Sequence, residues 1–403
     1  MTDLLKLLLI LGLTVVLLMK KWDLGLVLML NTLVVALLFG YPALDLGRSI
    51  LNGLVAPDTL GLASAVYLVL VLAELMKRTR AMEGMVASLQ VLVPDGRVTL
   101  ALMPLMIGLM PMLGGAMFSA PMVNEVGERL DLTPERKTFV NYWFRHSMEY
   151  VFPLYSSLLM MAALMEISVF DFIRVSWPLT LVALVSGVTW GLAGVRKKSE
   201  FHTAQKRSDA WPDFLRSTWP IFLVVLTVVV LKVNMVLSLI GVIVFFVVVK
   251  RIGPGRWWDV LRNSFPLPTF SALFGVMIFK HVMEDAGAVN QIPAALSVLG
   301  LPVMVVAFAV PMLVGLLTGA AAAALALSVP LVAPLLVGGP LEEIAAGVWI
   351  FVGGFSGVLL SPLHLCLALT REYFDANWGP IYRRIVPSVA LVVVAALGLV
   401  LLR

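Results

Sequence analysis

Long apolar runs alternate along this chain with short polar clusters that are rich in lysine and arginine. About 20 consecutive apolar residues are enough for one helix to cross the hydrocarbon core of a bilayer. The uninterrupted runs lie near 3–19, 22–40, 59–77, 174–194, 214–231, 234–250, 265–282 and 383–402. The pattern predicts an all-α polytopic membrane protein with the lipid bilayer as its partner.

Two local patterns recur at the same spacing and indicate an internal duplication. Pro153, in VFPLYSSL, matches Pro362, in LSPLHLCL, and Pro121, in SAPMV, matches Pro330, in SVPLV. Both pairs have the same separation in sequence. The apolar runs of the second half also follow in the order of the first. We therefore predict a first repeat over 1–195, a polar cytoplasmic linker over 196–213 and a second repeat over 214–403.

Each half also contains one apolar segment that is interrupted by glycine and proline, at 98–123 and at 301–337. Such a segment is poorly suited to one straight helix and suits two short helices that enter and leave on the same side. We count it as a re-entrant hairpin, which leaves five crossings in each half, one of them discontinuous. Because five is odd, the second half is expected to be inverted relative to the first.

The positive charges support this topology. With five crossings per half, most of the 29 Lys and Arg residues fall on one side, which is the cytoplasm by the positive-inside rule. Both termini are then outside, and the expected location is a prokaryotic inner (cytoplasmic) membrane. The basic residues form no continuous face, so no nucleic-acid partner is expected.

The composition narrows the possible chemistry further. Hydrophobic residues make up 61% of the chain and charged residues only 13%, far from the balance of a soluble domain. Cys366 is the single cysteine. No Cys or His cluster has metal-ligand spacing, so neither a metal nor an organic cofactor is expected, and only a coupling Na+ or H+ is considered.

Ionisable residues inside a membrane span are costly and therefore indicate function. The span 138–164 carries Arg145, His146 and Glu149 and is expected to break at Pro153. The matching span of the second half is expected to break at its glycines and at Pro362, and it carries His364. Its glycine and proline positions are Gly353, Gly354, Gly357 and Pro362.

A broken helix presents free backbone N–H groups to an anion and carbonyls to a cation. The hairpin tips, around 114–119 and 318–328, are expected to point at the same place. The predicted substrate-binding residues are Arg145, Gly114, Gly115, Ser119, Ser156, Ser157, Thr318, Ser328, Ser356 and Ser361. The predicted ion- or proton-coupling residues are Glu149, His146 and His364.

Several of these residues also allow a structural interpretation. Arg145 and Glu149, four apart, suit a neutralising pair on one helix. His146 fits a packed side chain, and Ser119 and Ser328 fit hairpin caps.

Two alternative functions are open. One is an intramembrane serine hydrolase, because Gly354-Phe355-Ser356-Gly357 resembles the rhomboid serine motif, with His146 or His364 as the base. The other is a passive anion channel. The whole-chain repeat speaks against the hydrolase, and two broken helices and two hairpins around one central site favour a carrier over a channel. No enzyme activity is predicted.

Three strings, GGAMFSAPMVNEVGERL (114–130), NYWFRHSMEYVFPLY (141–155) and GGFSGVLLSPLHLCLALTREYF (353–374), resemble an uncharacterised prokaryotic family of integral membrane proteins. That family is grouped with the ion transporter superfamily, which includes gluconate, citrate, dicarboxylate and arsenite carriers. The resemblance implies an elevator-type symporter, often a homodimer, that is coupled to sodium or protons.

One feature departs from the sodium-coupled dicarboxylate carriers, which have paired Ser-Asn-Thr motifs at the hairpin tips. Here the tips read Phe118-Ser119-Ala120-Pro121 and Leu327-Ser328-Val329-Pro330, without asparagine. This difference speaks against sodium coupling and against a dicarboxylate substrate, and the titratable His146, Glu149 and His364 favour protons. The sequence as a whole predicts a secondary active transporter of a small organic anion.

Overall fold

The structure is a computed structural model that describes residues 2–93, 95–110, 115–195, 207–289, 291, 300–336 and 342–402. Its regular structure is helical, as the apolar pattern predicts. The helices are Thr2–Met19, Leu24–Leu38, Ala43–Val55, Pro57–Arg78, Ala81–Leu92, Gly96–Gly108, Gly115–Arg129, Pro134–His146, Ser156–Leu164, Val169–Gly187, Arg207–Val225, Met235–Val249, Pro254–Asn263, Leu267–Asp285, Val303–Thr318, Ala321–Val332, Glu343–Leu360, Leu365–Tyr373 and Trp378–Leu401.

Each half contains a helical hairpin followed by a broken helix. The first hairpin pairs Gly96–Gly108 with Gly115–Arg129, and the second pairs Val303–Thr318 with Ala321–Val332. The first broken helix consists of Pro134–His146 and Ser156–Leu164. The second consists of Glu343–Leu360 and Leu365–Tyr373. The two interrupted segments of the sequence are thus pairs of short helices.

The hairpins and broken helices pack mainly on one another and on two long helices, Val169–Gly187 and Trp378–Leu401. We call this group the central bundle. The helices before the hairpin in each half form a second group, the frame, over 2–92 and 207–285. Within the frame, Leu24–Leu38 packs on Leu267–Asp285, while Met235–Val249 packs on Pro57–Arg78. Each half therefore contributes to both groups.

Among the described residues, five helices are long and apolar enough to cross a membrane, or six if one bent pair counts as a single span. One of the five is the second broken helix taken as a whole, and its most apolar stretch is 89% buried inside the protein. Several other apolar helices, such as Leu24–Leu38 and Met235–Val249, have only 15 residues. The frame thus contains short apolar helices alongside the long ones.

The second broken helix does not break where its glycines predict. Glu343–Leu360 runs without interruption through Gly353, Gly354 and Gly357. The break begins at Ser361 and contains Pro362, the fourth predicted position. A Cβ atom at Gly353 would lie 2.5 Å from the carbonyl oxygen of Phe308, and one at Gly357 would overlap that of Met312. These glycines therefore let the second hairpin approach the helix backbone closely, as small residues do in membrane helix packing.

In the first broken helix, the first half ends earlier than predicted. It stops at His146 rather than at Pro153, and hydrogen-bonded turns follow, including Glu149 N–H to the His146 carbonyl at 3.2 Å. The hydroxyl of Ser147 donates to the Trp143 carbonyl at 2.9 Å, so this side chain bonds the helix backbone where the helix ends. The break is therefore a folded segment of nine residues, from Ser147 to Tyr155.

Candidate functional site

The break in the first broken helix is lined by buried ionisable side chains. Arg145 and His146 are each 6% exposed, and Glu149 is 7% exposed. The last helical residues supply Arg145 and His146, and the turn after them supplies Glu149. Such groups are unusual in the interior of a membrane protein and indicate a functional site.

Glu149 binds His146 through a short hydrogen bond. Its Oε1 lies 2.6 Å from Nδ1 of His146, and its Oε2 accepts a longer bond of 3.4 Å from the Ser157 hydroxyl. The helix ends before Glu149, so Arg145 and Glu149 do not stand one turn apart on a single helix. The proposed i, i+4 pair on one helix is therefore wrong, because the backbone turns between the two residues.

His364 connects the second broken helix to both the second hairpin and the first broken helix. Its Nδ1 donates to the Gly319 carbonyl at 2.7 Å, and its Nε2 lies 3.2 Å from Nε2 of His146. Gly319 has φ +65°, and a Cβ atom there would lie 2.6 Å from the His364 backbone nitrogen. Only glycine fits this turn without strain. The three predicted coupling residues thus form one continuous chain of contacts.

Cys366 joins the same cluster. Its Sγ lies within 4.8 Å of a ring nitrogen of each imidazole. Tyr142 closes the cluster from another side, with its ring centroid 5.0 Å from that of His146 and 5.6 Å from that of His364. Sequence reasoning gave Cys366 no role. It follows His364 by two residues, but His146 is 218 residues before His364, so no local spacing shows that the three side chains meet.

Arg145 faces the first hairpin. A Cβ atom at Gly115, the first residue of helix Gly115–Arg129, would lie 2.5 Å from both terminal nitrogens of the guanidinium. A helix N-terminus carries a partial positive charge, and the guanidinium adds a full one. Gly115 and Arg145, both predicted to bind substrate, therefore lie against each other. Gly114, its predicted neighbour in the site, lies outside the described residues.

The carbonyls at two helix ends meet beside Arg145 and share one donor. The Tyr155 hydroxyl lies 2.5 Å from the Gly108 carbonyl oxygen and 3.1 Å from that of Arg145. A Cβ atom at Gly108 would overlap the Arg145 carbonyl, so the hairpin arm and the half-helix touch through their backbones. Tyr155 thereby bonds C-terminal carbonyls that lack helical partners.

The predicted hydroxyl residues occupy different environments. Ser119 lies in the second arm of the first hairpin and donates to the Ala116 carbonyl at 3.3 Å. Ser361 donates to the Leu316 carbonyl at 2.7 Å, and Thr318 donates to that of Val314 at 2.8 Å. Ser119 and Thr318 thus bond the backbone of their own helices, whereas Ser361 bonds the first arm of the second hairpin. Ser156 is exposed at the start of its short helix.

Ser328 and Ser356 differ from these hydroxyls. Both are almost fully buried, and neither hydroxyl has a hydrogen-bond partner among the described residues. Ser328 lies within the second arm of the second hairpin, past the turn at Gly319, so it is not at the tip as predicted. Buried polar atoms are normally bonded, so these two hydroxyls are exceptions among the described residues.

Asn141 is a buried polar residue that the sequence analysis did not single out. Its amide nitrogen donates to the Ala116 carbonyl at 3.0 Å and to the Thr370 hydroxyl at 3.1 Å. It thus joins the first broken helix to the first hairpin and to the second broken helix. The signal available in the sequence was an amide within an apolar span, five residues from His146 and one helical turn from Arg145.

The family comparison covers nearly the whole chain. A family model described as "Protein of unknown function (DUF401)" matches residues 3–403. Among curated proteins, none is similar in sequence to this chain.

Solved structures share the fold at low sequence identity. The YdaH transporter of Alcanivorax borkumensis superposes with a TM-score of 0.64 at 16% identity, over 88% of this chain and 87% of its own. MtrF of Neisseria gonorrhoeae, whose description refers to a class of antimetabolite efflux pumps, superposes with a TM-score of 0.55 at 12% identity. That match covers 88% of this chain and 83% of MtrF.

Proposed function

Because this chain belongs to the DUF401 family, whose description names no function, we propose a function from the geometry of its site: it is a secondary active transporter of a small organic anion. The observation that carries the proposal is the buried guanidinium of Arg145, which lies against the first residue of helix Gly115–Arg129. The likeness in fold to YdaH and MtrF supports a transporter architecture.

The site suits an anion for electrostatic reasons. An arginine presents several N–H donors in a planar fork that matches a carboxylate or a phosphate. The N-terminus of helix Gly115–Arg129 supplies a partial positive charge at the same place. Both lie inside the protein, where a low dielectric strengthens their attraction for an anion relative to water.

The proposal includes the inverted repeat and the re-entrant hairpins. In support, the helices of the second half follow those of the first in the same order, and each hairpin ends against the broken helix of its own half. Gly108 touches the Arg145 carbonyl in the first half, and Gly319 touches the His364 backbone in the second. Two such breaks at one site, reached in turn from either side, suit alternating access.

We further propose an elevator mechanism, in which the central bundle moves against the frame. A cavity of about 610 Å³ lies between the two groups, lined by residues within 56–65, by 234–236 and His281 of the frame, and by residues within 159–169 of the central bundle. The buried Lys280 of the frame crosses to Glu166 of the central bundle, with Nζ 2.7 Å from the carboxylate. The two groups thus contact each other through a polar link beside an open space.

The proposal is tested by ligand-induced thermal stabilisation of the purified protein. A ligand that binds only the folded state raises the apparent melting temperature. Mono-, di- and tricarboxylates, sugar acids and organophosphates are compared with their neutral amides or alcohols. We expect at least one anion to stabilise the protein and its neutral analogue to have no effect.

Arg145→Gln tests the role of the guanidinium directly. Loss of a charge-assisted hydrogen bond of about 1.5–3 kcal/mol weakens binding roughly 10- to 150-fold. Arg174→Gln is the matched control, because Arg174 is an exposed arginine of the same bundle. Equal binding by the Arg145 and Arg174 variants would remove the proposed anion site.

Uptake and efflux in proteoliposomes under imposed proton or sodium gradients then identify the coupling ion and the direction.

A further inference from the structure

Three potential metal ligands converge between the two broken helices. One ligand atom from each of His146, His364 and Cys366 lies within 4.8 Å of the other two. Two imidazole nitrogens and one thiolate form a ligand set that Zn²⁺ and softer transition metals favour over Na⁺, Mg²⁺ or Ca²⁺. The cluster therefore differs in chemistry from the anion site at Arg145.

Hydrogen bonds at Nδ1 orient both imidazoles. A carbonyl oxygen only accepts, so the contact with Gly319 requires that Nδ1 of His364 carry the hydrogen. An ionised carboxylate also only accepts, so Glu149 fixes the hydrogen of His146 on its own Nδ1. In both neutral rings the lone pair is then at Nε2. Metal-binding histidines are characteristically held in this way by a carboxylate or a carbonyl at the second nitrogen.

The two Nε2 atoms face each other at 3.2 Å. Two lone pairs at this separation repel each other unless a cation lies between them. Tetrahedral zinc with Zn–N bonds of about 2.0–2.1 Å holds two histidine nitrogens about 3.3–3.4 Å apart. The observed separation is close to that value, and the nearby thiol of Cys366 supplies a third ligand that a shared proton would not need.

We propose that His146, His364 and Cys366 bind a thiophilic transition metal ion, with Zn²⁺ as the reference ion, and leave its fourth coordination position open. Binding displaces the proton of the Cys366 thiol to solvent and forms the metal–sulfur bond. One ligand belongs to the first broken helix and two belong to the second, so the ion joins the two helices at their breaks. The open position takes water or an anionic group.

The test uses Co²⁺ with the purified full-length protein. Cys366 is the only cysteine of the chain, so a thiolate-to-cobalt charge-transfer band in the near ultraviolet reports on that residue alone. We expect the band at one equivalent of Co²⁺ and its loss when Zn²⁺ displaces the cobalt. Cys366→Ser should abolish the band. His364→Ala should weaken metal binding beyond detection at the same concentration.

His281→Ala is the matched control. His281 belongs to the frame, and its Nδ1 lies 2.9 Å from the Met277 carbonyl, so its loss should leave the band unchanged. Glu149→Gln keeps a hydrogen-bond acceptor but removes the charge behind His146. It should weaken metal affinity about 10- to 100-fold, the range for outer-sphere partners.

A measurement on the unmodified protein tests the metal site even if the variants do not fold. Bound Zn²⁺ should slow alkylation of Cys366 by iodoacetamide, and a chelator should restore the rate. An absent cobalt band, together with alkylation that Zn²⁺ does not change, would overturn the metal site and leave a proton between the two imidazoles. This test does not depend on the proposed transport function, because the thermal shifts with organic anions require Arg145 and not Cys366.

Discussion

Tyr155 and His364 occupy equivalent positions in the two halves of the protein and make equivalent contacts. Each follows a break proline by two residues, Pro153 in one case and Pro362 in the other. The Tyr155 hydroxyl donates to the Gly108 carbonyl at 2.5 Å, and Nδ1 of His364 donates to the Gly319 carbonyl at 2.7 Å. Each thus ties the first arm of its hairpin to the adjacent break.

The two matched residues differ in chemistry. In the first half the hairpin is bonded by the neutral hydroxyl of Tyr155, and in the second half by the titratable imidazole of His364. The hydroxyl of Tyr155 has a single hydrogen, which is shared between the Gly108 and Arg145 carbonyls. An imidazole has one nitrogen for the hairpin and a second that is free to face the other half, where it meets His146. The chemical asymmetry of the site therefore arises from a single pair of matched positions.

We predict that Tyr155→Phe destabilises the protein by about 1–3 kcal/mol. The substitution removes the donor to the Gly108 and Arg145 carbonyls, and an unsatisfied buried carbonyl costs energy in that range. The free energy of unfolding in detergent with added denaturant measures the effect. Tyr373→Phe is the control, since Tyr373 is 39% exposed, and it should change stability by less than about 0.5 kcal/mol. Equal values for the two variants would contradict the capping role of Tyr155.

We predict that Gly319→Ala destabilises the protein by more than the strain of an alanine at positive φ. The added Cβ meets the His364 nitrogen at 2.6 Å, in addition to the cost of about 1–2 kcal/mol for a non-glycine residue at positive φ. Gly287→Ala separates the two effects, because Gly287 has φ +68° with nothing within 4 Å of its Cβ position. The Gly319 variant should be clearly less stable in thermal unfolding than the Gly287 variant. Similar melting temperatures would mean that the contact with His364 tolerates displacement.

The sequence predicted the order of the elements better than their boundaries. Each of the two interrupted apolar segments is a pair of short helices, as their proline and glycine content indicated. Pro104, Pro121, Pro311 and Pro330 nevertheless lie inside those helices. The same reasoning was wrong for Gly353 and Gly357. There the missing side chain is used for contact with Phe308 and Met312, in a helix that continues. Composition does not distinguish a glycine that breaks a helix from one that packs against a neighbour.

Sequence reasoning singled out the charged residues of the site but not its residues of ordinary polarity. Arg145, His146 and Glu149 stood out because charge is costly in an apolar span. Cys366 and Asn141 did not stand out, since their importance comes from neighbours distant in sequence. Asn141 bonds Thr370 across 229 residues, and no local spacing indicates such a pair. Residues of ordinary polarity thus became visible only when the fold brought their partners together.

We predict that Glu166→Gln shifts the equilibrium between positions of the central bundle, if the bundle moves as proposed. Glu166 is the close partner of the buried Lys280, at 2.7 Å, whereas Asp58 of the frame lies at 3.8 Å. Removing the charge on Glu166 weakens the contact between bundle and frame and leaves Lys280 with its frame partner. Distances between one spin label on the frame and one on the central bundle should broaden or shift.

A matched variant tests whether any broken ion pair has this effect. Asp45→Asn removes a partner of Arg48 at 3.3 Å within one frame helix. It should leave the spin-label distances unchanged, because the pair does not connect the two groups. An unchanged distance distribution in both variants would mean that Lys280 does not hold the central bundle in place.

We predict that Ser356→Ala leaves anion binding and transport within about twofold of the unmodified protein. The glycines around Ser356 are explained by packing, and its buried hydroxyl has no hydrogen-bond partner among the described residues. Removal of an unbonded buried hydroxyl should be neutral for stability or slightly favourable.

The same variant separates the transporter from the intramembrane hydrolase. A nucleophilic serine needs a base within hydrogen-bonding distance of about 2.6–3.2 Å. Nε2 of His364 instead faces His146 at 3.2 Å, and Nδ1 of His146 faces Glu149 at 2.6 Å. A fluorophosphonate probe should therefore leave the purified protein unlabelled. Labelling that Ser356→Ala abolishes, together with unchanged labelling in Ser328→Ala as the second buried serine, would establish the hydrolase in place of the carrier.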